Sequence, residues 1–204
     1  MRVFLARHGQ TDWNAEHRLQ GQSDTRLTGV GRSQALALAQ LLANEPIDAI
    51  YASTLSRSLE TARPLARAKG LEVRPRAAMV EMRFGILEGH RALDTDPQIR
   101  ALWEARKRDP LNFRAPGAET YVAVQKRIAP FARELRRLHA QDTVLVVGHR
   151  GSNRVLLGLL LEWSLERTIR LKQTNDCVLE VRPGGDPELV QHRYTPVAQP
   201  GGNP

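Results

Sequence analysis

Apolar residues along this chain follow two alternating rhythms. Short unbroken runs are separated by longer stretches in which apolar positions recur every three to four residues. The first run is Val3-Phe4-Leu5-Ala6, the second Ile47-Asp48-Ala49-Ile50-Tyr51-Ala52, and the most uniform Thr143-Val144-Leu145-Val146-Val147. Near-continuous apolar runs bounded by turn signals mark strands buried on both faces. Leu71-Glu72-Val73-Arg74 predicts a shorter strand near a sheet edge. Cys177 to Val181 and Leu189 to Arg193 predict an antiparallel pair turning at Gly184-Gly185-Asp186.

Helical spacing fills the intervals. Behind Thr28, a candidate N-cap, Val30, Gln34, Leu38, Leu41 and Leu42 follow at helical spacing, and Asn44 and Pro46 stop the helix. Leu55, Leu59, Ala62, Leu65 and Ala66 form the stripe of a second helix, capped by Ser53 or Thr54. Glu119 to His139 predicts a long helix with Val122, Val124, Ile128, Phe131, Leu135 and Leu138 on its apolar side. Pro130 should kink it. Val155, Leu156, Leu159 and Leu160 mark a buried helix. Strands alternating with helices predict an α/β fold with parallel neighbouring strands. Residues 90–118 are polar and basic and predict a helical insertion beside the site. Residues 195–204, rich in Pro and Gly, predict a disordered tail and leave 1–194 as one domain.

Composition narrows the class. A chain of 204 residues suits one compact domain. Its net charge of +8 favours an acidic or phosphorylated partner. The arginines are scattered, with no basic block interleaved with aromatics, which argues against nucleic acid. Cys177 is the single cysteine, so no internal disulfide forms, and a reducing compartment fits. The N-terminus carries no signal-peptide pattern, and Val3 to Ala6 is too short to span a membrane. The expectation is a cytoplasmic enzyme without a membrane partner.

Candidate chemistry gathers at strand ends. The first run is followed at once by Arg7-His8-Gly9, and the Thr143–Val147 run by Gly148-His149-Arg150-Gly151. Arg57 falls in the first turn of the helix after the second strand. An arginine there opposes the helix dipole unless an anion binds nearby. In an open α/β sheet these ends share the edge where ligands collect. Two arginines and two histidines make an anion pocket suited to a tetrahedral dianion. One histidine as nucleophile, with the other cations as clamps, meets the needs of phosphoryl transfer without a metal. Arginines beside both histidines would repel a metal ion, so no metal ligand and no cofactor is assigned. No Gly-x-Ser-x-Gly elbow appears. Glu81, in the loop after the third strand, is the candidate proton donor to the leaving group. Asn14 either caps a turn or contacts a ligand, and Gly21 permits close backbone approach.

These residues, with Gln10-Thr11, Gln20-Gly21, Leu27-Thr28, Tyr51 to Arg57, Glu60-Thr61-Ala62, Phe84-Gly85, Glu88-Gly89 and Pro116 to Glu119, resemble in order and spacing the histidine phosphatase superfamily. The resemblance covers nearly the whole chain and points to the branch that includes cofactor-dependent phosphoglycerate mutase. It implies a three-layer sandwich, with a mixed, mostly parallel sheet and helices on both faces. It implies that His8 takes the phosphoryl group and that Arg7, Arg57 and His149 bind phosphate. Glu81 then serves as proton donor and afterwards as base for water. Asn14, Gln20 and Gly21 align with substrate-contacting positions. The family often has glycine directly after the second histidine. Here Arg150 stands there, followed by Gly151, so Arg150 either adds an anion contact or points away.

The implied activity is a metal-independent phosphatase acting on a small phosphorylated metabolite. A phosphoglycerate mutase and a non-catalytic binder of phosphate compounds are the alternatives. The exposed final strand leaves a homodimer open.

Overall fold

The computed structural model describes residues 1–184 and 187–196. The elements in order are β1 (Arg2–Arg7), α1 (Asp12–Ala15), α2 (Gly29–Leu41), β2 (Ile47–Ser53), α3 (Ser56–Lys69), β3 (Val73–Arg76), α4 (Pro97–Arg108), α5 (Tyr121–Leu138), β4 (Thr143–Gly148), α6 (Arg150–Leu161), α7 (Leu165–Thr168), β5 (Cys177–Arg182) and β6 (Glu188–Arg193). Two 3-10 turns, Ala77–Met79 and Gly85–Leu87, punctuate the connection after β3. The expected tail lies outside the described residues from 197 on, as do Gly185 and Asp186 of the expected hairpin turn.

The strands form one sheet in the order β3-β2-β4-β1-β5-β6. β1, β2, β3 and β4 run parallel, and β5 turns back antiparallel against β1. β6 closes the sheet antiparallel to β5. Strand side chains alternate between faces. On β1, Val3 and Leu5 join the core under α5 and α6, while Phe4 and Ala6 join the core under α2 and α3. The same split runs through β4, with Val144 and Val146 on one side and Leu145 and Val147 on the other. Period-two alternation of apolar residues on both faces produces the three-layer sandwich.

Several local expectations change. The helix after β2 has Leu55, not Ser53 or Thr54, at its N-cap, with no side-chain cap of its own. Asp24 reaches in from another loop and accepts the Ser56 N–H at 3.0 Å. On α5, Val122 and Leu138 are half exposed, so the buried stripe is Val124, Ile128, Phe131 and Leu135. Thr120 caps that helix and Glu119 lies outside it. The third strand starts two residues later than expected, at Val73. The 90–118 segment contributes one helix, α4, of which only Ile99 is fully buried.

Candidate active site

The register of β1 against β4 builds the centre. Arg7 pairs with Gly148, so the residues that follow, His8 and His149, emerge side by side. The His8 N–H continues the ladder by donating to the Gly148 carbonyl at 3.0 Å. The two rings lie 5.1 Å apart between centroids, and both are buried. β2 is the other neighbour of β4, so its end delivers Arg57, through the first turn of α3, to the same edge.

His8 is held in one orientation. Its Nδ1 lies 2.8 Å from the Gly9 carbonyl oxygen. A carbonyl only accepts, so Nδ1 carries the proton and Nε2 keeps its lone pair. Burial, followed by the charges of Arg7 and Arg57, holds the His8 pKa well below the usual histidine range. The ring is therefore neutral near pH 7. Asn175 donates to the His8 carbonyl at 2.7 Å and steadies the backbone.

Gly9 serves packing. A Cβ there would meet the Gly31 carbonyl oxygen at 2.4 Å, so β1 turns directly against the first turn of α2. Its N–H donates to Thr61 Oγ1 at 2.9 Å, tying the turn to α3.

Arg57 is fully buried and organises the rim. It donates from Nη1 to the Ser23 carbonyl at 2.6 Å and from Nη2 to the Gly21 carbonyl at 2.8 Å. Its Nε donates to His149 Nδ1 at 3.3 Å. His149 Nε2 in turn lies 3.3 Å from Ser58 Oγ. His149, expected as a phosphate ligand, thus sits beside His8 with both nitrogens turned to Arg57 and Ser58. Burial and the neighbouring Arg57 charge keep its pKa well below the usual range. Arg7 has a buried Nε without a partner, and burial with the charge of Arg150 pushes its pKa down to about 10.

Glu81 sits at the N-terminus of α6. Its carboxylate accepts N–H bonds from Met82 at 2.8 Å, Gly151 at 3.1 Å and Ser152 at 3.2 Å. Gly151 makes this seat: a Cβ there would fall 2.4 Å from Glu81 Oε1. Gly21 is equally constrained, with φ +54° and the Glu88 carboxylate 2.0 Å from any added Cβ. Glu88 accepts the N–H groups of Gln22 and Phe84 and so joins the two loops.

A cavity enclosing about 520 Å³ with its mouth opens over these groups. Arg7, His8, Asn14, Gln20, Gly21, Arg57, Glu81, Arg150 and Gly151 line it. Asn14 does both things its residue type allows. It completes the Thr11 capping box and it faces the cavity. Sequence reasoning did not single out Arg18, Tyr121 or Arg154, which also line the cavity, and left Arg106 among a crowd of basic residues. Asn153 and Gln173, which donate to the Ala6 and Leu5 carbonyls and brace β1, were missed as well. No sequence signal marks these two amides, since Asn153 lies between Ser152 and Arg154 and Gln173 between Lys172 and Thr174. Among the described residues, no group of three or more His, Cys, Asp or Glu converges as a metal site would.

The arrangement offers a neutral, oriented imidazole nitrogen among guanidinium groups, with one carboxylate on a helix N-terminus. That set can accept a phosphoryl group, stabilise its charge and transfer a proton.

Comparison with known proteins agrees with this fold. The family model for the histidine phosphatase superfamily, branch 1, matches residues 3–194. Phosphoserine phosphatase 1 of Hydrogenobacter thermophilus is 32% identical over 170 residues, 82% of this chain and 79% of that protein. A probable phosphoglycerate mutase of Yersinia enterocolitica is 33% identical over 174 residues, 84% of this chain and 81% of its own length. Among solved structures, a mycobacterial glucosyl-3-phosphoglycerate phosphatase with VO3 superposes with a TM-score of 0.83 at 29% identity, covering 95% of this chain and 98% of that one. The α-ribazole phosphatase of Shigella flexneri gives a TM-score of 0.83 at 25% identity, over 95% of this chain and 96% of its own.

Proposed function

This chain belongs to the histidine phosphatase superfamily, and from that premise we propose that it is a metal-independent phosphatase of small acidic phosphomonoesters working through a phosphohistidine. The observation that carries the reading is the fixed tautomer of His8, which leaves Nε2 unprotonated inside a cluster of arginines. In the first step Nε2 attacks phosphorus, an N–P bond forms and the ester P–O bond breaks. A proton carried in on the ester's phosphate passes to the Glu81 carboxylate and from there to the departing alkoxide. In the second step water attacks phosphorus, Glu81 takes the water's proton, and the N–P bond breaks to release phosphate.

Arg7 and Arg57 supply the charge that the transferring group needs. The partnerless Nε of Arg7 supports that role. His149 acts through its bond with Arg57 and, on ring rotation, as a further donor to phosphate. Asn14, Gln20, Gly21 and Gly151 shape the wall around the ester, and Arg150 contributes charge at the mouth. Repulsion from the arginines makes a catalytic cation unfavourable here. We place the activity in the cytoplasm and take residues 1–194 as one domain with 90–118 as its insertion. Among the described residues, no helix is long and apolar enough to cross a membrane. A homodimer would pair through the free edge of β6, and the mass in solution tests it.

Phosphate release from a panel of phosphomonoesters in EDTA tests the function. We expect release by the wild type, and a loss of at least about 10³-fold in His8→Ala, as nucleophile removal gives elsewhere. Abolition by EDTA overturns the metal-free mechanism. Isomerisation of phosphoglycerate without phosphate release would favour a mutase, the second reading, which the Yersinia relative keeps in view.

A further inference from the structure

His8 sits on a turn that other segments of the chain have to hold. Its ring and the Gly9 carbonyl are one peptide apart, so the contact that fixes the Nδ1 proton is only as firm as that peptide. Glycine tolerates most backbone angles and does nothing to stiffen it. Two bonds from outside do. Thr61 Oγ1 accepts the Gly9 N–H at 2.9 Å, and Asn175 Nδ2 donates to the His8 carbonyl at 2.7 Å. These are the two polar ends of one peptide plane. Thr61 is tied in turn, donating to the Arg57 carbonyl at 2.7 Å.

The same Asn175 amide reaches a second group. Its Nδ2 lies 3.4 Å from Asn14 Oδ1, which also accepts the Thr11 N–H at 3.2 Å. A backbone N–H only donates, so the Asn14 oxygen is identified and occupied, and its NH2 is the end left for a ligand. Asn14 lines the cavity beside His8, where an N–H suits a phosphoryl oxygen.

Asn175 is anchored from the end of the last strand. β6 lies at the sheet edge, and its side chains are half buried or exposed. Tyr194, directly after it, is buried with the core under α2 and α3. Its N–H donates to the Asp176 carbonyl at 3.1 Å, and its hydroxyl to the Asn175 carbonyl at 2.9 Å. Burial raises the Tyr194 pKa, so the hydroxyl keeps its proton and donates throughout. A phenylalanine would fill the same space with no buried hydroxyl to satisfy. The hydroxyl is explained by what it holds rather than by packing.

We propose that Asn175 is a positioning residue for phosphoryl transfer, anchored by Tyr194: one side-chain amide pins the His8–Gly9 peptide and turns the Asn14 amide to donate into the cavity. It touches no reacting atom and acts through His8 and Asn14. The last strand, which adds little to the core, thereby serves the nucleophile. The proposal rests on the phosphatase reading for the reaction, but its effect on His8 is visible without turnover.

Nitrogen NMR of ¹⁵N-histidine-labelled protein reads the His8 tautomer, with His8→Gln identifying the signal. In the wild type the proton should stay on Nδ1. Asn175→Ala removes both amide bonds and should give a mixture of tautomers, with kcat lowered about tenfold or more and KM changed less. Tyr194→Phe keeps the packing, removes only the anchor, and should move both readouts the same way by a smaller amount. If Asn175→Ala does not fold, Tyr194→Phe decides alone. A mixture already present in the wild type overturns the proposal. So does a His8 tautomer unchanged in the folded variants, whatever happens to kcat, because the loss would then arise away from the nucleophile. A shifted tautomer in the variants with no phosphate release by the wild type overturns the phosphatase reading and keeps the positioning of His8.

Discussion

In the proposed mechanism His8 is made reactive by keeping its one proton on Nδ1 and leaving Nε2 bare. Gly9 fixes that proton on Nδ1, and burial among cations keeps a second off Nε2. The second device has a consequence for stability. His8 and His149 both have pKa values below the usual 6.5 in the fold. Below about pH 6.5 the unfolded chain therefore binds protons that the folded chain refuses, and stability falls as pH falls. We expect the urea midpoint to drop between about pH 6.5 and 5, and to drop less in His8→Gln. An unchanged profile in the variant contradicts the buried, neutral ring. Gly151 is the complementary case. Gly151→Ala pushes the Glu81 carboxylate off the α6 terminus and should lower kcat on the order of 10²-fold, with little change in melting temperature. The residues proposed as reactive stood out in the sequence because they follow strands or open a helix, where a folding role is a poor explanation. Arg106, Tyr121 and Arg154 did not, because single basic or aromatic residues within helices read the same whether they face solvent or a cavity.

At the scale of elements, the site exists because three adjacent parallel strands stop together. The β1–β4 register places the histidines, and β2 brings α3 to the same edge. The apolar runs declared these strands plainly, since a strand buried on both faces tolerates few polar residues. What they did not declare were the caps and braces. Asp24 serves the start of α3 from another loop, and Asn153 and Gln173 reach β1 from distant segments. Periodicity along the chain carries no trace of such contacts. Val122 and Leu138 misled for other reasons, because Val122 lies about 100° around the helix from the buried Tyr121 and so off the stripe, and Leu138 lies beyond Leu135, the last buried residue of α5. The close approach of β1's turn to α2 gives an element-scale prediction. Gly9→Ala meets backbone at Gly31, which cannot rotate away, and should cost about 1–3 kcal/mol in chemical denaturation. An equal stability would show that the turn has room to shift.

The whole molecule carries a net charge of +8 and concentrates six arginines around one cavity. Its field should draw anionic esters toward the mouth. We expect kcat/KM for a phosphomonoester to fall as ionic strength rises, since screening shortens that reach. A salt-independent kcat/KM would place the charge outside the encounter. The proposed chemistry turns on the covalent intermediate. Rapid acid-free quenching of the enzyme mixed with a ³²P-labelled ester, followed by peptide mapping, locates the phosphoryl group. Label on the Nε2 of His8, stable to alkali, released by acid and absent from His8→Ala, is the predicted result. Turnover with no trapped label, or label on any other side chain, would contradict the mechanism at its centre.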